Sequence, residues 1–484
     1  MKRSLIAFIC LLALIGSAFA QDPTSARKGV SYTLLEGSYF IDDCLICGRP
    51  TILEPLRGTF DLVLLQNTPP YTGYAISNVD FATEGPLLPR HITGQGTYVR
   101  FEEFARLQDM TLAVNVADPY TNRMAYFTNQ TRVATNPFPL IQANLGETNG
   151  TLLQTFSMEI FAAPVREIWF STLRSFTSTN RNSPTNKISA GDLLSSRGRV
   201  VKRNIDLVGR LGVMPIVPDL GLDAVDVTRR GEILFSIPVD VFSETLGKIQ
   251  HGDLLSNRGV IVRRNQELLA AFKPASSVDA GLDAVQVMPN GEIYFSIQSN
   301  VVVSSTLTLG RGDILSDQGR VFMTQRQLLA KFQPAVTNHD FGLDALHILP
   351  SGEIWFSVEE SFTDQRLGAI QAGDLLSSQG YIVFRNRSLL SGFAPSDPTQ
   401  DYGLDAVFVV TDTQPPRPAP RIVKQTTSGR SIHLEWDGEG DVFQIEHAAN
   451  LAGPWAPCTD ILPDLSGDAD CGVGSAGFYR LRQW

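Results

Sequence analysis

Gly281-Leu-Asp-Ala-Val-Gln-Val-Met-Pro-Asn-Gly-Glu-Ile-Tyr-Phe-Ser296 decides the fold, because its two ends recur along the chain. Gly-Leu-Asp-Ala begins at Gly221, Gly281, Gly342 and Gly403, spaced by 60, 61 and 61 residues. Glu-Ile-x-Phe-Ser begins at Glu167, Glu232, Glu292 and Glu353, and Gly-Asp-(Leu/Ile)-Leu-Ser at Gly191, Gly252, Gly312 and Gly373. A fixed period of this length marks a repeat architecture. Asp283–Val287 and Glu292–Ser296 alternate in hydropathy across Pro289-Asn-Gly291, a turn whose glycine reaches positive φ, so they form a hairpin. Gly259 then leads into the β-branched Val260-Ile-Val262 as a second hairpin, which gives four strands per unit. Leu268, Leu269 and Phe272 follow as a helical turn over the sheet edge, stopped by Pro274.

The first unit enters at Glu167 without a Gly-Leu-Asp-Ala strand, whereas a surplus copy, Gly403–Val410, stands alone after the last unit. A ring in which that last strand pairs with the first unit accounts for both facts. The sequence therefore predicts an all-β chain centred on a four-bladed β-propeller with strand-exchange closure over residues 165–410, Ala406–Val410 lying beside Glu167–Ser171. Phe170, Phe235, Phe295 and Phe356 are expected to pack between blades, each contributing roughly 1.5–3 kcal/mol by burial. The pairing of an Asp-Ala-Val strand with a Gly-Glu-Ile-Tyr-Phe strand resembles the hemopexin-like repeat, which implies four blades around a channel able to hold ions. The likeness covers these two strands alone. That family's aromatic and basic third-strand motif and its blade-tying cysteines are missing from this sequence, so the resemblance implies an architecture and no haem or protease-associated role.

Lys2 and Arg3, an apolar run from Leu5 to Ile15 and Ala18-Phe-Ala20 read as a secretory signal peptide over residues 1–20. This places the mature chain outside the cytoplasm, whether extracellular, periplasmic or at a cell surface, with no transmembrane segment. A net charge of -10 argues against a nucleic-acid partner. Of the five cysteines, Cys10 leaves with the leader, and the others fall into two local pairs, Cys44 with Cys47 and Cys458 with Cys471, expected as disulfides. The second would add roughly 3 kcal/mol on the chain-entropy model. Cys44-Leu-Ile-Cys47 also has the spacing of half a zinc site or a redox dithiol, but neither the further ligands nor a helix start accompanies it.

Around the repeats, residues 21–164 carry alternating segments between Gly, Pro and Asn turns and are expected to form a β-sandwich. This part contains no Trp, which weighs against sugar stacking there. Thr411–Pro420 reads as a Pro-rich linker able to span roughly 30 Å. Beyond it, residues 421–484, with Ile432, Leu434 and Trp436 alternating, resemble a short fibronectin type III-like module, a second small β-sandwich.

The repeated Asp223, Asp283, Asp344 and Asp405 would come to equivalent places around the axis. They stabilise their turns, bind an ion or take part in catalysis; four converging carboxylates suit Ca²⁺, the one cofactor the ring accommodates. Asp192, Asp253, Asp313 and Asp374 read as structural, and Arg311-Gly-Asp313 is repeat grammar, since the other copies place Ala190, His251 and Ala372 before Gly-Asp. His91, His251, His339, His347, His433 and His447 lack metal spacing, and no nucleophile elbow, phosphate loop or zinc-protease helix is present. The stretch from Ser171 to Gly191 encloses nineteen residues where the other units have fifteen, which makes Arg174, Ser175, Phe176, Asn180, Arg181 and Asn182 the expected binding loop. The expected function is that of a secreted or cell-surface binding protein with a protein or glycan partner. A secreted hydrolase using acids at the propeller mouth and a purely structural surface protein are the alternatives.

Overall fold

The computed structural model describes residues 29–484 apart from 86–87, 104–105, 181–185, 218, 277–278, 416, 429–430, 452 and 471–476. The expected signal peptide lies outside the described residues.

The strands β1 (Val30–Leu34), β2 (Tyr39–Asp43), β3 (Ile52–Thr68), β4 (Tyr71–Thr83), β5 (His91–Glu102), β6 (Arg106–Ala117), β7 (Asn122–Asn129), β8 (Ile141–Glu147) and β9 (Thr155–Ala163) alternate buried and exposed side chains. In β6, for example, Gln108, Met110, Leu112, Val114 and Val116 point inward. All nine belong to one antiparallel sheet, not to the two packed sheets expected of a sandwich. Neighbours pair in order from β3 to β9, and β9 returns to β3 through β1 (Thr33 with Ala163, Ser31 with Asp61) and β2 (Tyr39 with Glu159, Phe40 with Glu54), so the pairing runs in a closed circuit. Bulges near Thr59, Leu64 and Ile76 bend the long strands. Gly58 has φ +136 and packs where a Cβ would lie 2.0 Å from the Asp80 carbonyl oxygen, an approach only glycine permits. Alternation shows that one face is buried; it does not show whether that face meets a second sheet or its own far side. Tyr32, Phe40, Phe60, Phe81 and Phe127 fill the interior.

Four four-stranded antiparallel sheets follow. Val225–Thr228, Glu232–Phe235, Leu254–Ser256 and Val260–Arg263 form one; Val285–Val287, Ile293–Phe295, Ile314–Ser316 and Arg320–Met323 the next; Ala345–Ile348, Ile354–Ser357, Leu375–Ser377 and Tyr381–Phe384 another. The remaining sheet joins Glu167–Phe170, Leu193–Ser195 and Arg199–Lys202 to Val407–Val410 from the far end of the array. Glu167 pairs with Val410 and Phe170 with Val407, in the register that Val225 and Phe235 use within one unit. The first strands of the four sheets neighbour one another in a cycle that returns to its start. The serine ending each second strand fastens that cycle: Ser171, Ser236, Ser296 and Ser357 donate to the carbonyls of Leu222, Leu282, Leu343 and Leu404 in the following sheet, at 2.6–2.9 Å. Beyond the four strands per unit, the segments between Phe-Ser and Gly-Asp each contain a two-stranded ribbon, such as Val241–Ser243 with Gly247–Ile249. Asn204–Val208, Asn265–Leu269, Gln325–Leu328 and Asn386–Leu389 are the helical turns.

At the C-terminus, Arg421–Ser428, Ser431–Asp437 and Ser466–Ala469 form one sheet, and Ala456–Pro457, Phe443–Ala448 and Phe478–Gln483 another. They share a core of Leu434, Trp436, Phe443 and Ile445.

The expected free linker is docked instead. The Asp412 carboxylate, only 1 % exposed, accepts from the Ser31 amide (2.8 Å), Arg166 Nη2 (2.8 Å), Arg482 Nη2 (2.6 Å) and Trp484 Nε1 (2.6 Å), tying the N-terminal sheet, the first repeat sheet and the C-terminal module to one side chain. Arg417 clamps Asp441 in bidentate fashion, and Gln483 Nε2 donates to the Pro418 carbonyl. Burial alone would raise the Asp412 pKa, but Arg166 and Arg482 outweigh it and hold the carboxyl at about 2. Its stabilising effect is therefore present above the ordinary carboxyl value of 3.8 and is lost as pH falls toward about 2. Replacing Asp412 by Ala leaves two buried guanidinium groups facing one another, and urea unfolding should register a loss of about 3–5 kcal/mol. A loss below about 1 kcal/mol would contradict this role.

Candidate functional site at the axis of the repeat sheets

Most repeated polar residues are consumed by the scaffold. Glu167, Glu232, Glu292 and Glu353 accept from Ser195, Ser256, Ser316 and Ser377 on the third strand of the same sheet. Asp192, Asp313 and Asp374 accept the amides that open the helical turns, those of Asn204, Gln325 and Asn386. Arg311 is bound to Glu359 (2.6 Å), to Glu360 and to the Asp340 carbonyl (2.8 Å), so both charged ends of Arg311-Gly-Asp313 are engaged within the chain.

Asp223, Asp283, Asp344 and Asp405 have no such duty. The turn role the sequence offered them belongs to other acids: Asp219, Asp279, Asp340 and Asp401, two residues before each glycine, accept the amides of Gly221, Gly281, Gly342 and Gly403 at 2.9–3.1 Å. The four aspartates are buried together at one end of the inner strands. Burial is the first cause of all four raised pKa values; repulsion by other members of the set comes next for Asp283, Asp344 and Asp405, whereas for Asp223 burial outweighs the lowering effects of His251 and Gln298. Asp223 is pushed up to about 7, Asp283 is raised by burial, then by Asp223 and Glu359, Asp344 by burial, then by Asp405, Asp283 and Asp223, and Asp405 by burial, then by Asp223. Their surroundings are uneven. Gln298 Nε2 donates to Asp223 Oδ2 at 2.6 Å, and Glu359 stands beside Asp283, but the corresponding residues of the other units are Leu173 and Pro238. Asp283, 3 % exposed, keeps an Oδ2 with no aligned hydrogen bond.

Three residues further along each inner strand stand Asp226, Gln286, His347 and Phe408, a level that sequence reasoning missed because its residue types differ between copies. Asp226 Oδ2 accepts from the Val287 amide (2.8 Å), and Gln286 Oε1 from that of Ile348 (2.6 Å), bridging adjacent sheets. His347 instead sets its ring edge-on to Phe408, 5.6 Å between centroids, and burial lowers its pKa to about 3, so it is neutral. Among the described residues no group of three or more His, Cys, Asp or Glu is placed to hold a metal ion.

The expected binding loop is largely a clasp. The Phe176 ring packs on Phe393 and Tyr402, Ser178 Oγ donates to the Phe393 carbonyl (2.6 Å), Thr179 Oγ1 to that of Ala394 (2.7 Å) and Asn180 Nδ2 to that of Gly392 (2.8 Å), all in the last unit. Ser175 Oγ accepts from the Ala190 amide, and the Arg174 amide donates to the Tyr402 carbonyl. Phe176, Ser178, Thr179 and Asn180 thus join the first unit to the last, while Arg181 and Asn182 lie outside the described residues. Cys44 and Cys47 form a disulfide. Cys458 is disulfide-bonded as well, and its expected partner Cys471 lies outside the described residues.

No family model and no curated protein matches the chain. Among solved structures it is similar to the extracellular domain of the one-component system BT4673 from B. thetaiotaomicron, at 9% identity over 89% of this chain and 82% of that one, with a TM-score of 0.20. The extracellular domain of the hybrid two-component system BT4673 from the same organism gives 9% identity over 89% and 74%, with a TM-score of 0.19. Superpositions this loose transfer neither fold nor function.

A carboxyl whose folded pKa exceeds its unfolded value stabilises while protonated, and that contribution fades as pH rises from 3.8 through about 7 for Asp223. The melting temperature should therefore fall between about pH 5 and about pH 8. The Asp283→Asn/Asp344→Asn double variant should have a flatter profile; an unchanged slope would show that the ring does not titrate as a unit.

Proposed function

We propose that the chain is an exported binding protein whose four repeat sheets are the blades of a hemopexin-like β-propeller, flanked by a closed β unit and a fibronectin type III-like module. Its axial mouth, ringed by Asp223, Asp283, Asp344 and Asp405, receives a cationic group. The observation that carries this reading is the burial of four mutually repelling carboxylates that the scaffold does not use. Buried charge without a partner costs stability, so such a ring persists where a proton or a cation occupies it. Ca²⁺ is the hard cation suited to these oxygens; Asp223, Asp283, Asp344 and Asp405 would be its carboxylate ligands, and its binding would be coupled to release of their protons. The C-terminal module lies at the far ends of the same inner strands, where the Arg230 amide donates to the Gly440 carbonyl (2.8 Å), so the acid mouth is the approach for a ligand. Calorimetric titration with CaCl₂ at about pH 7 in two buffers of different ionisation enthalpy should show saturable binding with proton release in the wild type, abolished in Asp283→Asn/Asp344→Asn. Wild-type protein that takes up no Ca²⁺ would reduce the ring to a proton-sharing structural element.

A further inference from the structure

A second cleft, of about 540 Å³, lies between the docked Thr411–Pro420 segment and the C-terminal module. Its size falls within the range of small-molecule sites. Trp455, Pro415, Pro420 and Leu481 supply apolar walls. The polar groups come as donors and acceptors side by side. Glu446, 3 % exposed, holds Arg480 Nε at 2.6 Å and has Arg482 Nη1 3.8 Å away, and Arg480 in turn lies over the Trp455 ring at 4.5 Å. Arg482 is fixed by Asp412 at 2.6 Å, yet its Nε is buried with no hydrogen-bond partner. A buried guanidinium N–H left without an acceptor is costly, and its residue contributes to the lining of this cleft.

Charge narrows the choice of ligand. Arg417 and Arg480 are paired with Asp441 and Glu446, and Asp412 is shared by Arg482 and Arg166, so most of the charge is neutralised within the chain and a strongly charged ligand meets little net attraction. A neutral molecule with many hydroxyls and one apolar face meets guanidinium donors on the half-exposed Arg480 and an indole wall for its C–H groups. We propose that this cleft binds a neutral oligosaccharide, with Trp455 as the platform. The site is separate from the acid mouth and does not depend on it.

Isothermal titration of the full mature chain with maltotriose, cellotriose and mannotriose tests the proposal. At least one probe should bind saturably with Kd on the order of 1 mM or tighter, Trp455→Ala should weaken it by about tenfold or more without lowering the melting temperature, and Arg480→Lys, which keeps a cation beside Glu446, should weaken it as well. Asp283→Asn/Asp344→Asn should bind the same sugar as wild type, so failure of the axial cation reading leaves this result intact. Absence of saturable binding by all three probes overturns the proposal. So does undiminished binding by both cleft variants, or binding restricted to trigalacturonate added as a charged comparison.

Discussion

Pairing of Val407–Val410 with Glu167–Phe170 is the constraint on which the rest of the molecule depends. It completes the first repeat sheet with a strand from the end of the array, and in doing so it places one acid just before that strand and another just after it. Asp405 joins Asp223, Asp283 and Asp344 as the fourth of the buried repeat aspartates. Asp412 reaches Ser31, Arg166, Arg482 and Trp484, and so fixes the two flanking modules. One short buried strand thus sets both the candidate site and the arrangement of modules around it.

The two acids show how surroundings decide the chemistry of a single residue type. Both are buried, and burial raises both pKa values. Asp405 has Asp223 as its charged neighbour and stays raised; Asp412 has two guanidinium groups and is held low. A carboxylate with paired donors around it serves as a structural bolt, whereas a carboxyl facing its own kind is pushed toward its neutral form.

The repeat sheets were legible in the sequence because closure leaves a written trace: a strand missing at Glu167 and a spare one at Gly403. The functions of Ser236, Glu232 and their equivalents were not, because a hydrogen bond to the next unit's Leu282 carbonyl has no spacing signature within one unit. The four aspartates were found as candidates, with turn duty among the roles open to them, and that duty falls to the acids two residues before the glycines. The nineteen-residue stretch after Ser171 looked like a ligand loop since length and polarity cannot distinguish a free loop from one whose Ser178 and Asn180 grip the last unit. The N-terminal unit's alternation was read correctly and its closure missed, because Gly58 and the bulges that bend the sheet act through backbone geometry. Four prolines suggested a detached spacer, and the single carboxylate of Asp412 overrode them.

The displaced strand also sets a clock. During synthesis or passage through a membrane in the N-to-C direction, Glu167–Phe170 emerges long before Val407 and must wait with one edge unpaired, although Trp169 and Phe170 end fully buried. The contact that completes the first sheet is thus among the longest in sequence separation that the chain makes, and loop-closure entropy and topology both make such contacts late. The waiting edge is where a chaperone would earn its keep, and where two nascent copies meeting too early would exchange their last strands and emerge as a swapped pair.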